Sequence, residues 1–342
     1  MLTYNPEFVE DPDYAYAVAR IRALETKRID QAALSSLVGA PLDRFSSSLS
    51  ELTGLDTAAL RESTNNAYSL LDLLEARFTR DHQLVCSLLL DDTARRLVML
   101  KYDYELLKLI VREAKGMALT VPSSFSRRSF YSYEEIKAML EEGRALDLGP
   151  GIYDTYLRIM EERQISGREI DHRCDCAYYE ELLGLVESMN NDFIRNFFLR
   201  EVDAQNILGT LRLKLLGGKR GDIRDRYLPY GTIDPGYLEQ LLDLSIEGFA
   251  GRIVFSPLAT VLLRVSKDQP EAEQAEELER LMDEDLLIYL RESIFVTFGI
   301  EPVLAYLWMK EVELKNLRTI LIAKHAGVSE SEIKRHVRGV YG

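Results

Sequence analysis

Cysteine is scarce in this 342-residue chain: Cys86, Cys174 and Cys176 make an odd number with no disulfide framework in it. The opening residues Met1-Leu2-Thr3-Tyr4-Asn5-Pro6 carry neither the basic head nor the apolar core of an export signal. The two shortages together predict a cytoplasmic protein. Long hydrophobic runs are also lacking. Even the stretch from Val303 to Met309 gives way at Lys310, far short of the ~20 residues needed to cross a bilayer. Positive charge is in deficit, with 42 Lys and Arg against 56 Asp and Glu and a net charge of −14. That balance argues against nucleic acid as a partner, because phosphate recognition rests on clustered basic residues, and it favours basic protein partners. Strand signals are few: Thr120-Val121 and Arg252-Ile253-Val254-Phe255, neither with an evident mate.

Signatures of chemistry are equally thin. His172-Arg173-Cys174-Asp175-Cys176 gathers metal-capable side chains, but a fourth ligand and the CxxC spacing of zinc sites are missing. His82, His325 and His336 stand without a Ser or Cys nucleophile motif. Leu216-Gly217-Gly218-Lys219-Arg220-Gly221-Asp222 resembles a phosphate loop only superficially, since it lacks the G-x-x-x-x-G-K-[ST] spacing and follows a helical pattern. No catalytic residue, no cofactor and no metal site is therefore expected.

What the chain does have is repetition. Glu311-Val312-Glu313-Leu314-Lys315-Asn316-Leu317 matches Glu201-Val202-Asp203-Ala204-Gln205-Asn206-Ile207, and Lys101-Tyr102-Asp103-Tyr104-Glu105-Leu106-Leu107 is a fainter copy. The last two copies reach a glycine at the same offset, Gly217 and Gly327. A spacing of roughly a hundred residues is too long for solenoids, whose units run about 20 to 50. It predicts three similar helical domains, with approximate blocks 1–125, 126–228 and 229–342 that can interleave.

Helical periodicity covers most of the chain. It predicts helices over Tyr14 to Leu37, Ala58 to Phe78, Arg95 to Ala114, Ile152 to Arg163, Tyr178 to Lys214 with a break, Tyr237 to Glu247, Glu271 to Val296 and from Pro302 to Gly327. Ser329 and Glu332 read as a capping box for a final short helix. The fold class is all-α.

Asp203 with Asn206, and Glu313 with Asn316, stand at i,i+3 on helices that are otherwise mostly apolar, so they are expected to be at least partly buried. A buried carboxylate is costly unless paired. In each unit an arginine closes a largely apolar turn, which leads us to expect the pairs Arg20 with Asp103, Arg158 with Asp203 and Arg264 with Glu313. The carboxylate-dense run from Glu271 to Glu284 reads first as a solvated helix face. Its members Glu273, Glu276 and Glu277 are the docking candidates for a basic partner.

With the repeat, the segment from Glu311 to Lys324, the opening Tyr14-Ala15-Tyr16-Ala17-Val18-Ala19-Arg20-Ile21-Arg22-Ala23-Leu24-Glu25 and Leu228-Pro229-Tyr230-Gly231-Thr232-Ile233 resemble the C subunit of the bacterial and archaeal V-type (A-type) ATPases, the relative of the eukaryotic d subunit. Leu106 departs from the pattern, because the first copy lacks the motif asparagine. The resemblance implies a funnel of three helical domains that sits on the membrane rotor ring, receives the shaft formed by the D and F subunits, and transmits torque without catalysis of its own. It implies a single copy in the complex, on the cytoplasmic face of the membrane, held there only through the ring. The rival reading is a helical adaptor unrelated to rotary ATPases. An enzyme built on His172, Cys174 and Cys176 is a third.

Overall fold

The computed structural model describes residues 8, 10–56, 58, 60, 67–117, 123–144 and 148–340. Helices run α1 Ala15–Glu25, α2 Gln31–Gly39, α3 Leu42–Thr53, α4 Ala67–Leu88, α5 Asp92–Ala114, α6 Ser123–Ser126, α7 Tyr133–Glu141, α8 Pro150–Glu161, α9 Gly167–Met189, α10 Asp192–Leu215, α11 Arg220–Arg224, α12 Pro235–Leu241, α13 Ile246–Ala250, α14 Leu258–Leu262, α15 Glu271–Arg291, α16 Glu301–His325 and α17 Glu330–His336. Among the described residues no strand occurs. The chain is all-α, as its periodicity predicts.

Local chemistry sets most helix ends. Asn190 (φ 49°) closes α9 in the left-handed region, and the next residue, Asn191, caps α10 by accepting the Ile194 N–H. This pair of asparagines is the break expected between Tyr178 and Lys214. Gly217 and Gly327 follow α10 and α16 at φ 71° and 72°, the conformation that a stop glycine serves. Ser329 accepts the Glu332 N–H at the start of α17. Ser132 and Glu135 form a reciprocal capping box on α7.

Several predicted elements differ. The span from Tyr14 to Leu37 is two helices, because Asp30 caps a new one at Gln31. The predicted Ala58–Phe78 helix is described as Ala67–Leu88, ten residues beyond its expected end. The Tyr237 to Glu247 span divides at Ser245, which caps α13 by accepting the Gly248 N–H. Arg252 to Phe255 is a turn, not a strand; the Ser256 N–H returns to the Ile253 carbonyl at 2.8 Å. Thr120 and Val121 lie outside the described residues.

Six long helices carry the architecture, and their packing partners are not always their chain neighbours. α4 packs on α16, α5 on α9, and α10 on α15, while short turns join α4 to α5 and α9 to α10, and a longer connection that includes the 3-10 helix Glu292–Phe295 joins α15 to α16. Turn and packing contact alternate around a closed cycle, so the end of the chain seals against its beginning. α1 also packs on α16, and α2 on α17. The core residues form two clusters. One joins Tyr14 to Val202 with Tyr289 to Val337, and the other spans Ala204 to Met282. Interior helix faces rich in Leu, Ile and Val supply the hydrophobic driving force for both.

Candidate functional site

The motif occupies α5, α10 and α16, and its acids are buried: Asp103 and Asp203 at 0% exposure and Glu313 at 4%. Asp103 Oδ1 accepts the Phe130 N–H at 2.8 Å, while Oδ2 takes the Arg96 guanidinium at 2.8 Å. Asp203 Oδ1 accepts the Thr232 and Ile233 N–H groups at 2.7 and 3.1 Å, and its other oxygen accepts the Thr232 hydroxyl. Both aspartates thus tie down the backbone just before the short helices α7 and α12. Glu313, one methylene longer, turns to the other side, to Arg77 at 2.6 Å and Lys310 at 3.0 Å. Burial raises the pKa of Asp103 to about 6 against the pull of Arg96, and raises that of Asp203 against its hydrogen bonds from Thr232 and Ile233.

The motif asparagines act alike. Asn206 donates to the Leu228 carbonyl at 2.9 Å and accepts the Leu228 N–H at 2.8 Å. Asn316 donates to the Arg338 carbonyl at 3.1 Å and accepts the Arg338 N–H at 2.9 Å. The separation is 22 residues in both cases. An amide side chain is the group that can satisfy one residue's donor and acceptor together. The first copy, with Leu106, has no amide to do so. Copy two therefore clamps its following loop with both acid and amide, copy one with the acid alone, and copy three with the amide alone.

The arginine pairings are corrected by this geometry. The charged partner of Asp103 is Arg96, Asp203 is held by backbone and hydroxyl donors, and Glu313 takes Arg77 and Lys310. Arg20, Arg158 and Arg264 are exposed, and Arg264 reaches Glu284 at 3.3 Å. An arginine on a wet face has no reason to be drawn into a site whose donors are already supplied. The loop clamped by Asp203 has its own constraint. Tyr230 sits at φ 82°, where a side chain is strained, and a Cβ at the neighbouring Gly231 would collide with Asp203 Oδ1.

The opening residues of the three motif copies lie near one another. Lys101 of α5 forms an ion pair with Glu311 of α16, and Glu201 of α10 lies within electrostatic reach of both. Beside them lies a cavity of about 240 Å³, lined among others by Lys101, Tyr178, Tyr179, Gln205 and Leu228. Lys101 keeps 44% of its side-chain exposure where it lines this cavity. Burial raises the Glu201 pKa to about 7; Lys101 opposes the shift and Glu311 reinforces it. Glu311 goes the other way, to about 2, because Lys101 and Lys315 outweigh its burial. Sequence reading missed these three residues. The signal available was their common place as the opening residue of each copy.

A profile of the ATP synthase (C/AC39) subunit family matches residues 17–336. The chain belongs to this family. The C subunit of the A-type ATP synthase of Thermococcus kodakarensis is 26% identical over 341 residues, covering 95% of this chain and 90% of its own length. That of Methanocaldococcus jannaschii is 25% identical over 353 residues, 94% of this chain and 85% of its own. The C subunit of the V-type sodium ATPase of Enterococcus hirae is 24% identical over 244 residues, 71% of this chain and 74% of its own. As a member of the C/AC39 family the chain is a structural part of an ATP synthase complex rather than a catalytic one. Among the described residues no helix is long and apolar enough to cross a membrane.

The remaining predicted residues of this C/AC39 protein sit apart from the well. Cys174 faces the core at 0% exposure, and burial pushes its thiol up to about 12. Cys176 Sγ lies 3.6 Å from His172 Nε2 one turn away, and burial raises its thiol pKa to about 12 as well. Among the described residues no group of three or more His, Cys, Asp or Glu is placed to hold a metal ion. Glu273, Glu276 and Glu277 line one side of a cleft whose other side carries Lys334 and Arg335 of α17.

The raised pKa of Glu201 has a consequence for stability. Its folded value lies above the ordinary 4.5, so the folded state holds the extra proton and stability falls as pH rises from about 4.5 through 7. Glu201→Gln removes that penalty. The variant is expected to be more stable than the parent by ~1 kcal/mol at pH 8 and by little at pH 5, the shift being discounted because the side chain keeps part of its exposure. Urea unfolding at the two pH values checks it, and an equal effect at both would exclude this origin.

Proposed function

We propose that the chain is a non-catalytic central-stalk component of a rotary V/A-type ATPase, a socket that couples the D/F shaft to the membrane rotor ring. The observation that carries this reading is the well between α5, α9 and α10, at whose lining residue Lys101 the chain pairs α5 with Glu311 of α16. A torque coupler needs a stiff body and a concave receiving surface. The closed cycle of six long helices supplies stiffness, since among the described residues no long helix is left without a packed partner to resist shear. We read the three units as interleaved, each pairing a motif helix with another long helix, the third unit being completed by α4 from the start of the chain. The net charge of −14 favours a basic shaft tip over an acidic one. Attachment at the cytoplasmic face of the membrane, through the ring alone, belongs to the same proposal.

The relatives' names point to an ATP synthase or sodium ATPase and away from the unrelated helical adaptor. Co-purification with the D and F shaft proteins of the same organism, read by native mass, tests the socket reading. A stable one-to-one-to-one complex is the expected result. Failure with all three chains folded and at low salt would overturn it.

A further inference from the structure

One end of the helix cycle gathers the three connections between long helices around the start of the chain. In the α4–α5 turn the Leu90 N–H lies 3.5 Å from the Tyr14 hydroxyl. Glu10 accepts the Thr297 and Phe298 N–H groups at 3.1 and 2.6 Å, and the Asp11 N–H donates to the Phe298 carbonyl at 3.0 Å, which ties in the α15–α16 connection. Asn191 of the α9–α10 turn donates to Glu301 of α16 at 2.8 Å. Large apolar side chains stand out in water here: Phe295 is 78% exposed, Ile294 59%, Leu90 49% and Phe298 38%. Around them acids outnumber bases. Glu10, Asp13, Asp91 and Asp192 are exposed, Asp92 is paired with Arg95, and Arg291 adds one exposed cation. The well is elsewhere: its residues Lys101 and Gln205 stand nine and thirteen positions beyond the first residues of α5 and α10, so it begins about 14 Å along the helix axes.

We propose that this end is a second docking face, and that it seats the part of the membrane ring that stands out of the bilayer, a protein surface with apolar tips set among Lys and Arg. The inference rests on the socket reading above and names the face and the chemistry of its ring contact. Aromatic and aliphatic side chains held in water on connections already fixed by hydrogen bonds are preorganised for burial against another surface. The surplus of acid decides between two occupants on the membrane side. Anionic lipid headgroups are repelled by it, and a face that met lipid directly would carry Lys and Arg around its apolar residues. A basic protein surface is attracted, and the same charges orient its approach. The placement also suits a coupler. Two partners held at separate levels of one helix body exchange torque through that body rather than by touching each other.

The test is binding of the full chain to the detergent-solubilised ring of the same organism at low and moderate salt. The parent is compared with the double variant Ile294→Ser with Phe295→Ser, with Asp13→Lys, and with Val254→Ser, which removes an apolar side chain 73% exposed on the turn after α13. The double variant is expected to weaken ring binding about tenfold or more at either salt, Asp13→Lys about threefold at low salt alone, and Val254→Ser not at all. Shaft binding by the double variant should equal the parent's, since the well lies elsewhere, and that equality shows the variant folds. Vesicles of phosphatidylcholine and phosphatidylglycerol are the lipid probe, and the parent is expected to leave them unbound. If the parent binds the ring and the double variant binds it equally well, or Val254→Ser weakens it as much, or the vesicles capture the parent through Phe295, the face is overturned while the socket stands. If the parent itself does not bind the ring, the socket reading fails and the face with it.

Discussion

Glu313→Ala is expected to lower the unfolding free energy by about 3–5 kcal/mol, the cost of leaving buried charges without their partner. Glu313 accepts from Arg77 at 2.6 Å and from Lys310 at 3.0 and 3.1 Å, and Lys310 is only 4% exposed. Arg77 also donates to the Thr53 carbonyl at 3.2 Å, so it cannot swing to solvent without releasing the end of α3. Asp81, a neighbour on α4, has one buried oxygen without a hydrogen bond and a pKa raised by burial against the pull of Lys310 and Arg77. It can take up part of the orphaned charge, which places the expected loss at the lower end of the range. The double variant Lys310→Met with Glu313→Leu should recover much of that loss, because it removes both members of one buried pair. Since α4 and α16 close the helix cycle, hydrogen exchange should accelerate first on their facing amides. A loss below about 1 kcal/mol for Glu313→Ala would show that the pair is not the lock described.

Asp203→Ala is the second large effect, with an expected loss of about 3 kcal/mol. Two backbone N–H groups and one hydroxyl lose their acceptor together, and the Ile233 side chain is fully buried, leaving water little access to replace it. Asn206 would still grip Leu228, so the loop should loosen at Thr232 and Ile233 before it detaches. Amide exchange at those two residues is the direct readout. The double variant with Asn206→Ala should be non-additive, because both side chains hold one loop. Leu228 lines the well, so the same variants should also weaken shaft binding if the socket reading holds. Unchanged exchange at Thr232 would reject the clamp.

Much of this was legible in the sequence for local reasons. The Asp203/Asn206 and Glu313/Asn316 pairs were marked as buried by the apolar residues around them on one helix face. The stop glycines, the Ser329 cap and the interruption between α9 and α10 are short-range chemistry, decided within one or two turns. The pairing of acids was not legible. Arg20, Arg158 and Arg264 each had plausible spacing, but a cation's distance along the chain says nothing about which face it occupies. The true partners of Asp103 and Asp203 lie 7 and 29 residues away, and those of Glu313 lie 3 and 236 residues away. No single rule of separation could have chosen them.

The sequence by itself determined that the chain is helical, where most helices stop, which motif residues go inside, and, through its repeated motif, its family. These follow from backbone sterics, capping and the period of the helix, all short-range. Tertiary structure alone decided that α16 returns to α4, that Lys101 meets Glu311 across 210 residues, and that Glu201 remains unpaired beside them. Periodicity states which face of a helix leaves water, but the neighbour that covers it is chosen by the packing of the whole chain.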